Sequence, residues 1–267
     1  MEHRIIQQLL QLKAEAPLVH NITNFVVMNN TANALLAVGA SPVMVHSPRE
    51  VQDVVQISQS LVINIGTLSE KWADAMLMAA ERANQIGCPW VLDPVGAGIS
   101  SFRNETLQQL LNLKPTAIRG NASEIMALDN FSAFSSKGVD STADSQDAFV
   151  AGQSLQRRYG TQVCISGPTD YIISERAWVE VYNGSGLMTK VTGLGCSASA
   201  MIGAFLALRS DPFEEAVAGV SILSLAGQLA TDKSNGPGTL QWQLYDTLYN
   251  LTAEDLSIHL NIKQHAF

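Results

Sequence analysis

Apolar and polar positions alternate in two ways along the chain. Short runs that are apolar almost throughout predict buried β-strands, and longer stretches in which apolar residues recur every three or four positions predict amphipathic helices. Strands are predicted over residues 18–23, 41–46, 61–66, 89–96, 116–121 and 163–167. Helices are predicted up to residue 16 and over 24–38, 47 onward, 70–85, 102–111, 122–128, 146–159, 196 onward, 212–231, 239–250 and 253–263. Residues 169–183 predict an antiparallel hairpin at the sheet edge, and residues 131–145 predict an exposed loop.

This order of elements predicts an α/β fold. Strands that are apolar throughout are covered on both faces, so the central sheet is expected to be mostly parallel with helices on either side. No repeat, low-complexity tract or linker divides the chain, and we therefore expect one domain over residues 1–267.

Polar side chains end several of the predicted strands. They are Asn24, Asn64, Asp93, Arg119 and Asn121. Because ligands bind beyond the carboxyl ends of parallel strands, these side chains are expected to converge at one edge of the sheet.

The stretch Gly193-Leu194-Gly195-Cys196 precedes a long run of small and apolar residues. Two glycines around one residue predict a tight turn that opens into a buried helix, whose first amides form an anion hole. Cys196 would place a thiol beside the anion, with its pKa lowered by the helix terminus. The alternative is a close-packing glycine pair next to a cysteine that acts as a small apolar residue.

Four further residues carry candidate chemistry. Asp93 and Glu124 offer carboxylates for Mg²⁺ or its bound water, Arg119 offers a guanidinium for phosphate, and Ser166 ends a strand where a phosphate could bind. The alternatives are a turn aspartate bonded to nearby amides for Asp93, and a surface ion pair with an ordinary first-turn glutamate for the other two charges.

Charge and cysteine content narrow the class of protein. The net charge of −8 argues against a nucleic-acid partner, and no apolar run is long enough to span a membrane. Cys88, Cys164 and Cys196 lack metal-binding spacing, which favours reduced thiols in the cytoplasm. The N-terminus has charges where a signal peptide needs an apolar core.

Six motifs occur in a fixed order: HNITNFVV (20–27), GASPVM (39–44), NIGTL (64–68), DPVGAG (93–98), RGNASEI (119–125) and TKVTGLGC (189–196). Together they resemble the hydroxyethylthiazole kinase family. The resemblance implies a ribokinase-like three-layer α/β/α sandwich and phosphorylation of the primary hydroxyl of 4-methyl-5-(2-hydroxyethyl)thiazole by ATP with Mg²⁺, in thiamine synthesis or salvage. It also implies a homotrimer with the thiazole pocket between subunits.

The resemblance assigns roles by position. It implies that Asn24, Val26, Met44 and Gly193 bind the thiazole, Arg119 and Ser166 bind ATP, Asp93 and Glu124 organise Mg²⁺, and Cys196 is catalytic.

The chain departs from the family pattern at Leu194, where members usually have Thr or Ala. A leucine that points away is tolerable, whereas one that points inward narrows the pocket. Two other functions stay open: a kinase of another small hydroxyalkyl heterocycle, such as a pyrimidine or a pyridoxine-like ring, and a nucleotide-binding regulator without turnover.

Overall fold

A single sheet runs through the part of the chain that the computed structural model describes, residues 1–130 and 145–267. Its strands are β1 (Leu18–Ile22), β2 (Ser41–Val43), β3 (Ser60–Asn64), β4 (Trp90–Asp93), β5 (Ala117–Asn121), β6 (Gln162–Ser166), β7 (Asp170–Ile173), β8 (Ala177–Val181) and β9 (Ile262–Ala266). The spatial order is β2-β1-β3-β4-β5-β6-β7-β8-β9. Strands β1 to β6 pair in parallel and β6 to β9 pair antiparallel, which confirms the predicted mostly parallel sheet.

Helices cover both faces of this sheet. They are α1 (Glu2–Glu15), α2 (Met28–Val38), α3 (Val51–Ile57), α4 (Glu70–Ile86), α5 (Ser101–Asn112), α6 (Ala122–Asn130), α7 (Ser145–Tyr159), α8 (Leu194–Leu206), α9 (Pro212–Asp232), α10 (Pro237–Asn250) and α11 (Ala253–His259), with a 3₁₀ helix over Gly186–Lys190. Helices α3 to α7 bury one core against the sheet, and the remaining helices bury a second core on the opposite face. The result is the three-layer α/β/α sandwich that the motifs imply.

Helix α8 lies at the centre of the second core, between the sheet and α9. Small residues make this close packing possible. A Cβ on Gly203 would collide with Val62 of β3, and a Cβ on Gly219 of α9 would lie 2.8 Å from the backbone nitrogen of Ile202 in α8. The close contacts with β3 and with α9 therefore fix the position of α8.

Two helices begin later than their sequence patterns predict. Helix α2 begins at Met28 rather than at residue 24, because the Asn24 side chain accepts a hydrogen bond from the amide of Val26 (3.1 Å) and forms a turn. Helix α3 begins at Val51, because Ser47 accepts from the amide of Arg49 (3.3 Å) and its segment forms a turn as well. Short polar side chains compete here with the helical backbone.

The end of the chain differs most from the prediction. The helix predicted over 253–263 ends at His259, and residues 262–266 form β9 instead. Strand β9 pairs with β8, so the predicted hairpin of β7 and β8 is confirmed but does not lie at the edge of the sheet. Strand β2 is also shorter than predicted. The loop predicted over 131–145 falls outside the described residues, apart from Ser145, which begins α7.

None of the helices within residues 1–130 and 145–267 is both long and apolar enough to cross a membrane.

Helix α9 begins with an aspartate cap. Asp211 accepts hydrogen bonds from the amides of Phe213 (2.9 Å) and Glu214 (3.1 Å). Glu215, in the first turn of α9, is buried and accepts hydrogen bonds from both the amide (2.6 Å) and the hydroxyl (3.0 Å) of Ser210. Burial raises the pKa of Glu215 from 4.5 to about 7.

Glu215 is expected to make the stability of the protein depend on pH. Between pH 4.5 and about 7 the unfolded chain releases the Glu215 proton while the folded protein retains it, so the free energy of unfolding falls as the pH rises. We expect Glu215→Gln to remove roughly 1–2 kcal/mol of this fall between pH 5 and 8, measured by urea unfolding. Glu81→Gln, at an exposed position of α4, is the control and should behave like the unmodified protein. Identical pH profiles for Glu215→Gln and the unmodified protein would contradict the prediction.

Candidate active site

The turn before α8 has the geometry that its glycines predict. Gly193 caps the helix with a φ of 82°, and a Cβ there would lie 2.6 Å from Cγ1 of Val27. A Cβ on Gly195 would lie 2.6 Å from Nη1 of Arg119. The first intrahelical bond joins the amide of Ser197 to the carbonyl of Gly193 (2.9 Å), which leaves the preceding amides without a partner in the helix. This first turn can receive an anion.

A buried polar network connects three strand ends to α8. Asn24 donates to Oδ1 of Asn64 (2.8 Å), and Asn64 donates to Oδ2 of Asp93 (2.6 Å). The same Asp93 oxygen accepts from the hydroxyl of Ser199 (2.7 Å), and Asn24 also donates to the sulfur of Cys196 (3.5 Å). The predicted convergence of the strand ends is therefore confirmed for these side chains. Ser199 was missed by sequence reasoning, although it lies one helical turn after Cys196 and is polar within an apolar helix.

Asp93 lies beneath the surface rather than in the open. Its side chain is fully buried, and burial raises its pKa to about 6, against the lowering effect of Arg119. The charge of Glu124 raises it further. Its second oxygen, Oδ1, has no hydrogen-bond partner among the described residues. A buried carboxylate oxygen without a partner can take up a proton or contact a ligand that binds in the site.

Glu124 connects the turns that follow β4 and β5. Its carboxylate accepts from the amides of Gly96 (3.1 Å) and Asn121 (2.9 Å), while the Asn121 side chain accepts from the amide of Glu124 (2.9 Å). This reciprocal capping is the ordinary structural role of a first-turn glutamate. Within residues 1–130 and 145–267, no three His, Cys, Asp or Glu side chains cluster closely enough to hold a metal by themselves.

The environment of Cys196 does not favour a thiolate. Burial, followed by the negative charge of Asp93, raises its pKa to about 12, and hydrogen bonds from Asn64 and Asn24 oppose this only in part. The expectation that the helix terminus lowers this pKa is therefore wrong, because desolvation outweighs the helix dipole. Cys196 is a neutral thiol at pH 7.

Replacing Cys196 with alanine is expected to lower kcat by no more than about tenfold, because a neutral thiol cannot supply the 10²–10⁴-fold of a general base. Steady-state kinetics of the phosphoryl transfer that the resemblance implies would give this kcat. Cys88→Ala, which removes another buried thiol that lies near the carbonyl of Ser58, controls for the loss of packing. A larger fall in folded Cys196→Ala protein would show that the thiol accepts a proton during turnover.

A cavity of about 610 Å³ lies beside the start of α8. Arg119, Ser166, Leu194 and Gly195 line it, together with residues of the 3₁₀ helix and of α9. Both residues predicted to bind ATP thus lie in one cavity. Asn24 and the other predicted thiazole ligands are not among its described lining residues, which places Leu194 on the Arg119 side of the turn.

The predicted thiazole side is less enclosed. Val26 is 61% exposed and Met44 is half-buried, directly after β2. Nε2 of His20 donates to the carbonyl of Val45 (2.8 Å) and so holds the segment that carries Met44. Burial lowers the pKa of His20 to about 4, so the ring is neutral.

Asp170 is a second residue that sequence reasoning missed. Its carboxylate accepts from the amide of Gly167 (3.1 Å) and from the hydroxyl of Ser224 (2.9 Å). It thereby joins the turn after Ser166 to α9. No local motif marks it, because the partner Ser224 is distant in sequence.

A protein-family model, the hydroxyethylthiazole kinase family, matches residues 9–254. The chain belongs to this family. It is 52% identical to the hydroxyethylthiazole kinase of Syntrophus aciditrophicus over 94% of this chain and 93% of that protein, and 46% identical to that of Vibrio parahaemolyticus over 97% and 98%. The resemblance inferred from the six motifs is confirmed, and the family is one of kinases that transfer a phosphoryl group from ATP.

Solved structures agree with this assignment. The hydroxyethylthiazole kinase protein from Pyrococcus horikoshii OT3 superimposes with a TM-score of 0.91 at 37% identity, covering 98% of both chains. A pyridoxal kinase from Staphylococcus aureus in complex with ADP gives 0.65 at 14% identity, with 94% of this chain and 99% of that one covered. A ribokinase-like superfamily protein from Enterococcus faecalis gives 0.64 at 14%, with 90% and 89% covered. The last two establish the fold alone, and the predicted ribokinase-like fold is confirmed.

Proposed function

We propose that the protein transfers the γ-phosphoryl group of ATP to the primary hydroxyl of 4-methyl-5-(2-hydroxyethyl)thiazole, giving the thiazole phosphate used in thiamine synthesis. The observation that carries this proposal is the position of the turn before α8 in a chain of this family. Arg119 and a cavity lie on one side of the turn, and Asn24 lies on the other. A phosphoryl group held at the turn would face both substrates.

Arg119 and the amides of Gly193, Leu194, Gly195 and Cys196 would hold the charge that develops on the transferred group. Transition states of phosphoryl transfer are usually loose, so positioning and charge stabilisation matter more than removal of the hydroxyl proton. The neutral Cys196 thiol fits this division of labour, because it would contact the acceptor without being its principal base. Ser166, at the end of β6, would bind a phosphate oxygen of ATP.

The two carboxylates fit a role in Mg²⁺ binding. Oδ1 of Asp93 is buried and has no partner in the part of the chain that the structure describes, and Glu124 lies near enough to raise the pKa of Asp93. Mg²⁺ usually takes one or two carboxylates and completes its shell with water and phosphate oxygens, so a larger protein cluster is not required. When bound, the ion would neutralise charge on the ATP phosphates. We propose that Asp93 and Glu124 hold it, directly or through water.

The acceptor pocket is proposed to lie between subunits of a homotrimer, with Asn24, Val26, Met44 and Gly193 as its ligands in each subunit. The exposed Val26 and Phe25 beside the buried Asn24 support this assembly, because neighbouring apolar side chains are left for a partner to cover.

The unpaired state of all three cysteines supports a cytoplasmic location.

Release of ADP with MgATP tests the proposed function. Hydroxyethylthiazole, a hydroxymethylpyrimidine and pyridoxal would be compared as acceptors at equal concentration. Thiazole-dependent turnover well above both other acceptors is expected. Stimulation only by another alcohol would refute the acceptor, and ADP release by none of them would refute the kinase activity.

A further inference from the structure

The lining of the cavity beside α8 combines polar and apolar groups. Arg119 and Ser166 provide charge and hydrogen-bonding groups. Residues between Tyr182 and Thr189 and residues of α9 also line it, among them the apolar side chains of Met188, Val220 and Leu223. If the phosphates of the donor bind at Arg119, as the proposed function requires, the nucleoside base would lie against these other lining residues.

Two side chains in the cavity could distinguish one base from another, because an amide and a carboxylate have fixed donors or acceptors. Both are hydrogen-bonded to other parts of the protein. Asn183 donates to Oε1 of Gln228 (2.9 Å) and to the carbonyl of His259 (2.9 Å), and its oxygen accepts from the amide of Asn261 (2.7 Å). Both amide hydrogens and the carbonyl oxygen of Asn183 are therefore in use.

Both oxygens of Asp170 also accept hydrogen bonds from the protein. One carboxylate oxygen accepts from the amide of Gly167 and the other from the hydroxyl of Ser224. The backbone beside Asn183 is also engaged, because the amide of Gly184 donates to Oε1 of Gln228 (3.3 Å).

Other polar side chains in this part of the lining carry hydroxyl groups. The Ser185 hydroxyl accepts from the amide of Leu187 (3.2 Å), and the Thr189 hydroxyl donates to the carbonyl of Gly186 (2.8 Å). A hydroxyl can donate or accept by rotating its proton. The Ser185 hydroxyl, which donates in neither of these two bonds, can therefore bind an amino group or a carbonyl group of a base.

We propose that the donor site accepts nucleoside triphosphates as a class, purine and pyrimidine alike, with weak discrimination among their bases. This inference rests on the proposed function. An apolar wall separates ligands mainly by the area they bury, which is worth far less than the 10⁴–10⁵-fold produced when a site must hydrogen-bond one particular group. Recognition is then concentrated on the triphosphate, at Arg119 and the first turn of α8.

The test compares ATP, GTP, CTP and UTP as donors at saturating hydroxyethylthiazole and Mg²⁺. We expect kcat/KM for GTP to lie within about 100-fold of the value for ATP, with the smaller pyrimidine bases below both purines. A gap of more than about 100-fold between ATP and GTP would overturn the inference and leave the proposed function intact. Absence of turnover with every donor would refute the proposed function itself.

A pair of variants on α9 examines the same point without changing the donor. Val220 lines the cavity, whereas Val217 is buried and is not among the described lining residues. Val220→Ala is expected to raise KM for ATP and GTP by the same factor, roughly threefold to tenfold, and Val217→Ala to leave both KM values unchanged. A Val220→Ala variant that loses ATP binding but keeps GTP binding would contradict a shared apolar site.

Discussion

Replacement of Arg119 with alanine is expected to lower kcat/KM for ATP by about 10²–10³-fold, the usual effect of removing one preorganised charge-stabilising donor. Arg119 is the one cation among the described residues that line the cavity. Burial raises the pKa of both Asp93 and Asp170, and the charge of Arg119 opposes this rise, so Arg119 also offsets the negative charge of the carboxylates around the site. Without it, the phosphates of ATP would approach uncompensated negative charge.

Two variants make the Arg119 result interpretable. Arg119→Lys keeps the charge but loses the planar guanidinium, and should retain part of the activity. Arg4→Ala removes an exposed arginine that pairs with Glu214 and should leave kcat/KM unchanged. Circular dichroism would establish that each variant is folded. The proposed roles, with Arg119 as the main charge-stabilising group and Cys196 as a minor contributor, are refuted if Cys196→Ala loses more activity than Arg119→Ala.

Replacement of Gly219 with alanine is expected to lower the free energy of unfolding by about 1–3 kcal/mol, as for other overpacked cores. The added Cβ would lie 2.8 Å from both the nitrogen and Cα of Ile202. These are backbone atoms of α8, so a rotamer change cannot relieve the collision. Helices α8 and α9 would have to move apart.

Urea unfolding measures the Gly219→Ala effect. The control is Gly238→Ala in the first turn of α10, where an added Cβ meets no atom of residues 1–130 or 145–267 within 4 Å. The Gly238→Ala variant should have an unchanged or slightly higher free energy of unfolding, since alanine has a higher helix propensity than glycine. Equal unfolding midpoints for Gly219→Ala and the unmodified protein would show that the two helices can separate at no cost.

Most elements of the fold follow from hydrophobic periodicity, because a strand buried on both faces and a helix buried on one have different patterns. The errors have local physical causes. Asn24 forms a turn with its own backbone, and α2 therefore begins later than its pattern suggests. Residues 262–266 are mostly exposed on an edge strand, where pairing with β8 decides the conformation and the sequence pattern is weak.

In the candidate site, too, some features could be predicted from the sequence, whereas others depend on the folded structure. Asn64 and Asp93 could be placed together because they end neighbouring strands in register. The pKa of Cys196 could not be predicted, since it depends on how completely the folded protein excludes water and on a carboxylate from another element. The contacts of Asn183 with His259 and Asn261 likewise depend on the return of the chain after α11.

The two cores imply a different order of assembly for the two faces of the sheet. The core around α3 to α7 is made by residues between Ile22 and Ile173, so it needs only one continuous part of the chain. The opposite core joins Ile5 and Leu9 of α1 to residues as distant as Leu256, so it cannot close until the second half of the chain is present. Because closing long loops slows folding, we expect the first face to form early during synthesis. The α1 face would remain exposed until α8 and α9 arrive, and this is the interval in which the chain most needs protection from aggregation.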